Sequence, residues 1–139
     1  MSIEFNHTII PARDPRASAR FLADILGLET GQEWAYFVPV RTHNGVTLDF
    51  SRDRDPHPQH YAFLVSDAEF EAALFRMKRA NVTFYAGFDG SGRGETNHLY
   101  GGRGVYFDDA DGHMFELITQ PYGPAPQIWV DGTVREFED

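Results

Sequence analysis

Two stretches of this chain repeat one pattern, and that internal repeat limits the choice of fold more than any other feature of the sequence. Residues 6–28 align with residues 59–81, and His7 then falls on His60. The aspartates that precede the two apolar helical stripes superimpose at the same separation of 53 residues. A repeat of this length predicts two copies of one supersecondary unit that bury their apolar faces together.

Each half predicts the order strand, helix, strand, strand, because the spacing of apolar residues changes from alternating to helical and back. In the first half, strands are predicted at 3–10, 34–40 and 46–51, with a short extra strand near 28–32. The helix is predicted to begin at Pro15, with Asp14 as its N-cap, and to end at Gly27. Asn44-Gly45 predicts the turn that joins the last two strands. In the second half they are a strand at 60–66, a helix that Asp67 caps and that reaches Ala80, and strands at 82–85, 104–108 and 113–119. These elements predict a single domain with module one at 1–51, a linker at 52–58, module two at 59–119 and a tail at 120–139 laid over a surface.

The helical spacing also predicts which residues each helix buries. The expected buried stripes are Ala17, Phe21, Leu22, Ile25 and Leu26 on the first helix, and Phe70, Leu74, Phe75 and Met77 on the second.

Composition and charge exclude several classes of function. The net charge of −9 opposes binding to nucleic acid phosphates, which requires a basic surface. The chain has no cysteine, so disulfides, thiolate metal sites and a cysteine nucleophile are excluded. No N-terminal apolar run resembles a signal peptide and no stretch reaches membrane-spanning length, so a cytoplasmic protein without membrane partners is expected.

Each half places a histidine in its first strand and a carboxylate in its last strand. A pseudo-twofold axis between the halves would bring His7, His60 and Glu116 around one point. Two imidazoles and one carboxylate suit Fe(II), Mn(II), Ni(II), Co(II) or Zn(II), and they leave the open positions that a catalytic metal needs. Each residue taken alone also fits a hydrogen-bonded core position. Asp49 shares its face with polar residues, so its position fits either a role at the metal, as a ligand or beside one, or a place as a surface or hydrogen-bonding residue.

The chain resembles the vicinal oxygen chelate superfamily, which includes glyoxalase I, bleomycin and fosfomycin resistance proteins and type I extradiol dioxygenases. The resemblance lies in the segments NHTIIPARDPRASARFLADILGLE, QHYAFLVSDAEFEAALFRMKRANVTFY and GGRGVYFDDADGHMFELIT. It implies an α+β fold, in which two βαβββ modules form an open, cup-shaped mixed β-sheet with the helices outside. It also implies one divalent metal ion per site, held by His7, His60 and Glu116.

The resemblance further implies a homodimer with a small-molecule substrate. Where the modules are swapped, His7 would come from one subunit and His60 with Glu116 from the other. In the glyoxalase I branch a fourth ligand, usually Glu, lies where this chain has Asp49. The fosfomycin branch shares a tyrosine with Tyr106 but has Thr where Ile9 stands, and its basic phosphonate cluster has no counterpart here.

A glycine-rich loop at 86–102 is expected near the open mouth of the cup, and loops of this kind often carry function. A plain surface loop would explain the same glycines. His98 and Tyr106 are candidate proton-transfer groups beside Glu116, while His113 faces the opposite way and is interpreted as structural. The predicted substrate contacts are Asn97, Tyr100, Arg103 and Asp49.

Two classes of function fit these residues. The first is a divalent-metal-dependent enzyme of the glyoxalase or dioxygenase type, acting as an isomerase, a lyase or a ring-cleaving dioxygenase on a substrate that chelates the metal. The alternative is a protein that sequesters an antibiotic without chemistry, like the bleomycin resistance proteins. Retention of three metal ligands favours the enzyme.

Overall fold

The computed structural model describes residues 2–122, 127–128 and 134–135, and the chain divides into two compact units. Unit 1 comprises Met1–Pro58 with Asp109–Asp111, and unit 2 comprises Gln59–Asp108 with Gly112–Asp139. Within the described ranges, neither α-helix has the length and apolar character that crossing a membrane requires. The predicted cytoplasmic location stays a prediction.

Unit 1 packs one helix on a three-stranded mixed sheet. Its elements are β1 (His7–Ala12), α1 (Pro15–Leu26), β2 (Phe37–Arg41) and β3 (Thr47–Arg52). The sheet order is β1-β3-β2, with β1 parallel and β2 antiparallel to the central strand β3. The predicted extra strand is reduced to a single bridge between Thr30 and Val40.

Unit 2 repeats this plan with one more strand. Its elements are β4 (His60–Leu64), α2 (Asp67–Arg79), β5 (Phe84–Tyr85), a 3₁₀ turn (Leu99–Gly101), β6 (Gly104–Asp108) and β7 (Met114–Ile118). In the order β4-β7-β6-β5, strand β7 lies between a parallel and an antiparallel neighbour. Two further short strands, β8 (Gln127–Ile128) and β9 (Val134–Arg135), pair with each other. Mixed sheets with one helix in each half confirm the α+β class; most of the predicted tail lies outside the described residues.

Local side-chain chemistry fixes where the helices begin. The predicted cap of α1 is confirmed, since the Asp14 carboxylate accepts the Ala17 N–H at 3.2 Å. The predicted cap of α2 at Asp67 is wrong by one residue. The Ser66 hydroxyl accepts the Glu69 N–H at 3.1 Å, and the Glu69 carboxylate accepts the Ser66 N–H at 2.9 Å. This reciprocal pair is a capping box, which satisfies two amides and so outcompetes a single aspartate.

The ends of the strands differ from the predictions. Backbone pairing with a neighbouring strand decides where a strand ends, whereas the predictions used the alternation of apolar and polar residues. β1 begins at His7, where its pairing with β3 starts, and not at residue 3. The strand predicted at 34–40 begins only at Phe37, because Trp34 and Phe37 exchange two backbone hydrogen bonds and close a tight turn.

The buried sides of the helices also differ from the predictions in part. α1 buries Ala19 and Ala23 beside Leu22 and Ile25, whereas Ala17 is exposed. On α2, Phe75 is 63% exposed. Phe75 follows Leu74 by a single residue, and one residue rotates a helical side chain by about 100° away from the buried stripe.

Asp111, in the turn between β6 and β7, is a buried anchor within unit 1. Its Oδ1 accepts the backbone N–H of Arg13 at 3.3 Å and a guanidinium N–H of the same residue at 3.1 Å. Its Oδ2 accepts the Ser18 hydroxyl at 3.2 Å. The carboxylate therefore ties the end of β1 and the first turn of α1 to one point.

We expect Asp111→Ala to lower the free energy of unfolding by about 2 to 3 kcal/mol, because it leaves the buried Ser18 hydroxyl and the Arg13 amide without their acceptor. Urea denaturation of both proteins measures this difference. Asp24→Ala, at an exposed position on α1, is the matched control and should stay within about 0.5 kcal/mol of wild type. Equal stabilities for the two variants would show that Asp111 anchors nothing.

Candidate metal centre

His60 and Glu116 lie on one face of the unit 2 sheet. Strands β4 and β7 are parallel neighbours in which His60 aligns with Met114 and Ala62 with Glu116. Met114, which is aligned with His60, and Glu116, two positions further along β7, lie on the same face of the sheet. The histidine and the glutamate therefore project from one face. His60 Nε2 lies 3.0 Å from Glu116 Oε1, and Glu116 is only 1% exposed.

The hydrogen bonds of His60 determine which ring nitrogen carries the proton. Nδ1 lies 3.0 Å from the carbonyl oxygen of Met114, and because a carbonyl can only accept, Nδ1–H is the donor. In the neutral ring, Nε2 then presents a lone pair to the Glu116 carboxylate. Two hydrogen-bond acceptors at this distance repel each other unless a proton or a cation is bound between them. A ring N–H held by a backbone carbonyl is also the usual arrangement of a metal-binding histidine.

The second oxygen of Glu116 is occupied by a tyrosine. The Tyr122 hydroxyl donates a hydrogen bond to Glu116 Oε2. Tyr106 aligns with Glu116 across β6 and β7 and is 3% exposed. Burial first and the nearby carboxylate second raise the pKa of Tyr106, and burial together with the hydrogen bond to Glu116 raises that of Tyr122. Both phenols therefore keep their protons at neutral pH.

Unit 1 contributes a second group of polar side chains, around a cavity of about 720 Å³ that His7 and Asp49 both line. His7 Nδ1 donates to Asn6 Oδ1 at 2.7 Å, which leaves Nε2 with its lone pair, as in His60. Asp49 is 4% exposed, and its Oδ1 has no hydrogen-bond partner within the described residues. A buried carboxylate oxygen without a partner is costly, so this position favours a cation or a hydrogen-bond donor from a ligand.

No three His, Asp or Glu side chains gather as a metal site within the part of one chain that the structure describes. His60 and Glu116 form a pair in unit 2, and His7 and Asp49 line one cavity in unit 1. Of the alternatives left open for Asp49, its burial rules out solvent exposure, and the predicted ligand set stays a prediction.

Comparison with known proteins identifies the family. The model of the Glyoxalase/Bleomycin resistance protein/Dioxygenase superfamily matches residues 4–117. The chain belongs to this superfamily. The resemblance found in the sequence is thereby confirmed, and it extends to solved structures and to curated proteins.

Two of the solved structures that the chain is similar to are named as oxidases. "Oxidase ChaP-H2" is 49% identical with a TM-score of 0.86, over 88% of this chain and 98% of that one. "Oxidase ChaP-H1" is 46% identical with a TM-score of 0.85, over 88% and 99% of the two chains. A curated relative, "Glutathione transferase FosA" of Serratia marcescens, is 29% identical over 119 residues, which cover 81% of this chain and 77% of that protein.

The glycine-rich loop of this superfamily member holds its predicted substrate contacts in different ways. Asn97 is 1% exposed and uses its amide within the loop, donating to the Ala86 carbonyl at 2.8 Å and accepting the Leu99 N–H at 3.1 Å. His98 is exposed, with Nδ1 3.2 Å from the Gly102 carbonyl oxygen. These contacts hold the Asn97 amide within the loop and leave the imidazole of His98 at the surface, and the predicted roles of both residues toward a substrate stay predictions.

Arg103 and Tyr100 point to other neighbours. The Arg103 guanidinium pairs with Glu71 on α2 and lies 4.6 Å above the ring of Phe70. The Tyr100 ring lies 4.4 Å from that of Tyr122, between centroids. Tyr100 is thus linked to Glu116 through Tyr122, while Arg103 connects the end of the loop to α2.

The sequence analysis missed Tyr122, because it lies in the proline-bearing tail and matches no repeat position. Its one signal was an aromatic residue only four positions after the end of β7, where a side chain can fold back over the sheet. The structural role predicted for His113 agrees with the geometry: the ring is fully buried, and Nδ1 accepts the Gln59 N–H at 3.0 Å.

Proposed function

We propose that this chain is a metal-dependent oxidase, with one divalent metal held by His60 and Glu116 of one copy and by His7 of a second copy. The observation that carries the proposal is the contact of 3.0 Å between His60 Nε2 and Glu116 Oε1, in a ring whose Nδ1–H donates to the Met114 carbonyl. The oxidase class is supported by 49% and 46% identity to the two named oxidases, against 29% to the named transferase.

The donor set fits a first-row divalent metal. Imidazole nitrogen and carboxylate oxygen together suit Fe, Mn, Co, Ni or Zn, and the chain has no thiolate that would select a softer ion. When bound, such a metal would supply Lewis-acid or redox chemistry toward a chelating substrate. His60 and Glu116 would hold it from unit 2, each kept in orientation by its own hydrogen bond.

Two other side chains would act on the substrate. Tyr106 keeps its phenolic proton at neutral pH, so its hydroxyl can donate a hydrogen bond to a substrate oxygen beside Glu116. Asp49 Oδ1 has no hydrogen-bond partner among the residues that the structure describes, so at the cavity that His7 lines it can accept a hydrogen bond from a substrate hydroxyl. His98 stays a candidate for proton transfer at the surface of the loop.

A second copy of the chain supplies the missing ligand in this proposal. His7 is exposed on β1, and β1 lies at the edge of its sheet, where a neighbouring molecule can reach it. A homodimer would thus hold two equivalent sites, each built from unit 1 of one copy and unit 2 of the other.

Metal analysis tests the proposal directly. We expect about one metal ion per chain in untagged protein purified without chelators, measured by mass spectrometry of the elements. His60→Ala and Glu116→Gln should lose it, whereas His57→Ala, an exposed linker histidine, should keep it. The ferrous protein should then bind nitric oxide, a stand-in for dioxygen, with an electron paramagnetic resonance signal.

The outcomes separate the parts of the proposal. A protein that holds no metal and takes none up on reconstitution would refute the metal-dependent enzyme and favour the alternative, a protein that binds a small molecule without chemistry. A metal-loaded protein whose ferrous form binds no nitric oxide would refute the oxidase and keep the metal site.

A further inference from the structure

The carboxylate of Glu116 has its two oxygens assigned to different neighbours. Oε1 faces His60 Nε2 at 3.0 Å, and Oε2 accepts the hydroxyl of Tyr122. Because Glu116 is 1% exposed, water does not compete strongly for either oxygen. The phenol therefore leaves one particular oxygen available beside the imidazole.

The segment that carries Tyr122 is fastened to the glycine-rich loop. The Thr119 N–H donates to the Arg103 carbonyl at 3.0 Å, and the Thr119 hydroxyl accepts the Arg103 N–H at 2.8 Å. Gly102 allows this close approach, since a Cβ there would lie 2.7 Å from both Thr119 Oγ1 and Gln120 Cγ. These contacts hold Thr119 and Gln120 against the residues that end the loop, two positions before Tyr122.

Tyr100 supports the ring of Tyr122 at an energetic cost. Its backbone is left-handed, with φ 56° and ψ 27°, a conformation that a bulky residue rarely adopts. That conformation costs about 1 kcal/mol or more and persists only where the surroundings fix it. Here it accompanies a ring contact of 4.4 Å between Tyr100 and Tyr122.

We infer that Tyr122 is a positioning residue, which holds Glu116 so that Oε1 alone is presented to the metal, and that Tyr100 supports it. This inference rests on the proposed function and adds a part of the chain, the segment after β7, to the metal site. Hydrogen bonds from outer residues to metal ligands typically change metal affinity by about 10- to 100-fold when they are removed.

The test is the affinity of the metal-free full-length protein for Co²⁺, followed by its visible absorption. Tyr122→Phe keeps the ring on Tyr100 and removes only the hydroxyl, and it should raise the Co²⁺ dissociation constant by about 10- to 100-fold. Tyr100→Leu keeps the hydroxyl and removes the support, and should raise the constant by less. Tyr36→Phe, at an 85% exposed tyrosine, should leave it unchanged.

A purely structural role for Tyr122 would change the melting temperature of the metal-free protein and leave the Co²⁺ affinity at the wild-type value. If Glu116→Gln abolishes binding and Tyr122→Phe stays within twofold of wild type, the positioning role is overturned and the proposed function stands. If wild type itself binds no Co²⁺, both are overturned.

Discussion

Heterodimers of His7→Ala and His60→Ala chains are expected to bind about half as much metal as the wild-type dimer, although each variant alone binds none. In the proposed dimer, one site of such a heterodimer joins the intact His7 of one chain to the intact His60 and Glu116 of the other. The second site lacks both histidines, because it joins the mutated position 7 of one chain to the mutated position 60 of the other. One working site out of two gives the expected half.

Co-expression of the two variants with different affinity tags allows the heterodimer to be isolated by two successive purifications, and elemental analysis then gives its metal content. Heterodimers of His60→Ala with Glu116→Gln are the control. They should bind no metal, because each of their sites lacks one unit 2 ligand. Metal-free His7→Ala/His60→Ala heterodimers, or the absence of any heterodimer, would refute a site shared between copies.

Phe115→Ala should lower the free energy of unfolding by about 3 to 5 kcal/mol. Phe115 neighbours Glu116 on β7 but points to the opposite face of the sheet, where it is fully buried. Its ring lies 5.5 Å from that of Phe107, 5.8 Å from Tyr61 and 6.3 Å from Phe63, between centroids. Truncation would remove a central member of this aromatic cluster and leave a cavity.

Phe75→Ala is the matched control, since that side chain is 63% exposed on α2 and should cost about 0.5 kcal/mol or less. Urea denaturation of both variants measures the difference. A similar loss of stability in the two proteins would show that the aromatic cluster is not the core of unit 2.

The repeat made much of this fold predictable, because two independent copies of the same pattern support one interpretation. The boundaries of α1 followed from Asp14, Pro15 and Gly27, whose backbone preferences act locally. Strand ends were less predictable, because they depend on partners far away in the sequence. The turn at Trp34–Phe37 shows this, since it breaks a run of residues with strong strand propensity.

The candidate site was predictable only where the repeat marked it. His60 and Glu116 each have a counterpart in the first half of the chain, and in the structure His60 Nε2 lies 3.0 Å from Glu116 Oε1. Tyr122 has no repeat counterpart, so the repeat did not indicate it. Asn97 was selected for its polar side chain in a glycine-rich loop; in the structure its amide satisfies backbone groups of that loop, and its contact with a substrate stays a prediction.

The anchoring of Asp111 in unit 1 bears on the history of this chain. A tandem duplication first produces two copies that can each fold from their own residues. Here residues 109–111 come from the second copy and form part of the first unit, where Asp111 completes the hydrogen bonds of Arg13 and Ser18. A gene cut at the repeat boundary would therefore encode a first half that lacks one of its own buried acceptors. That first half, produced alone, should therefore be less stable than the same residues are in the full chain.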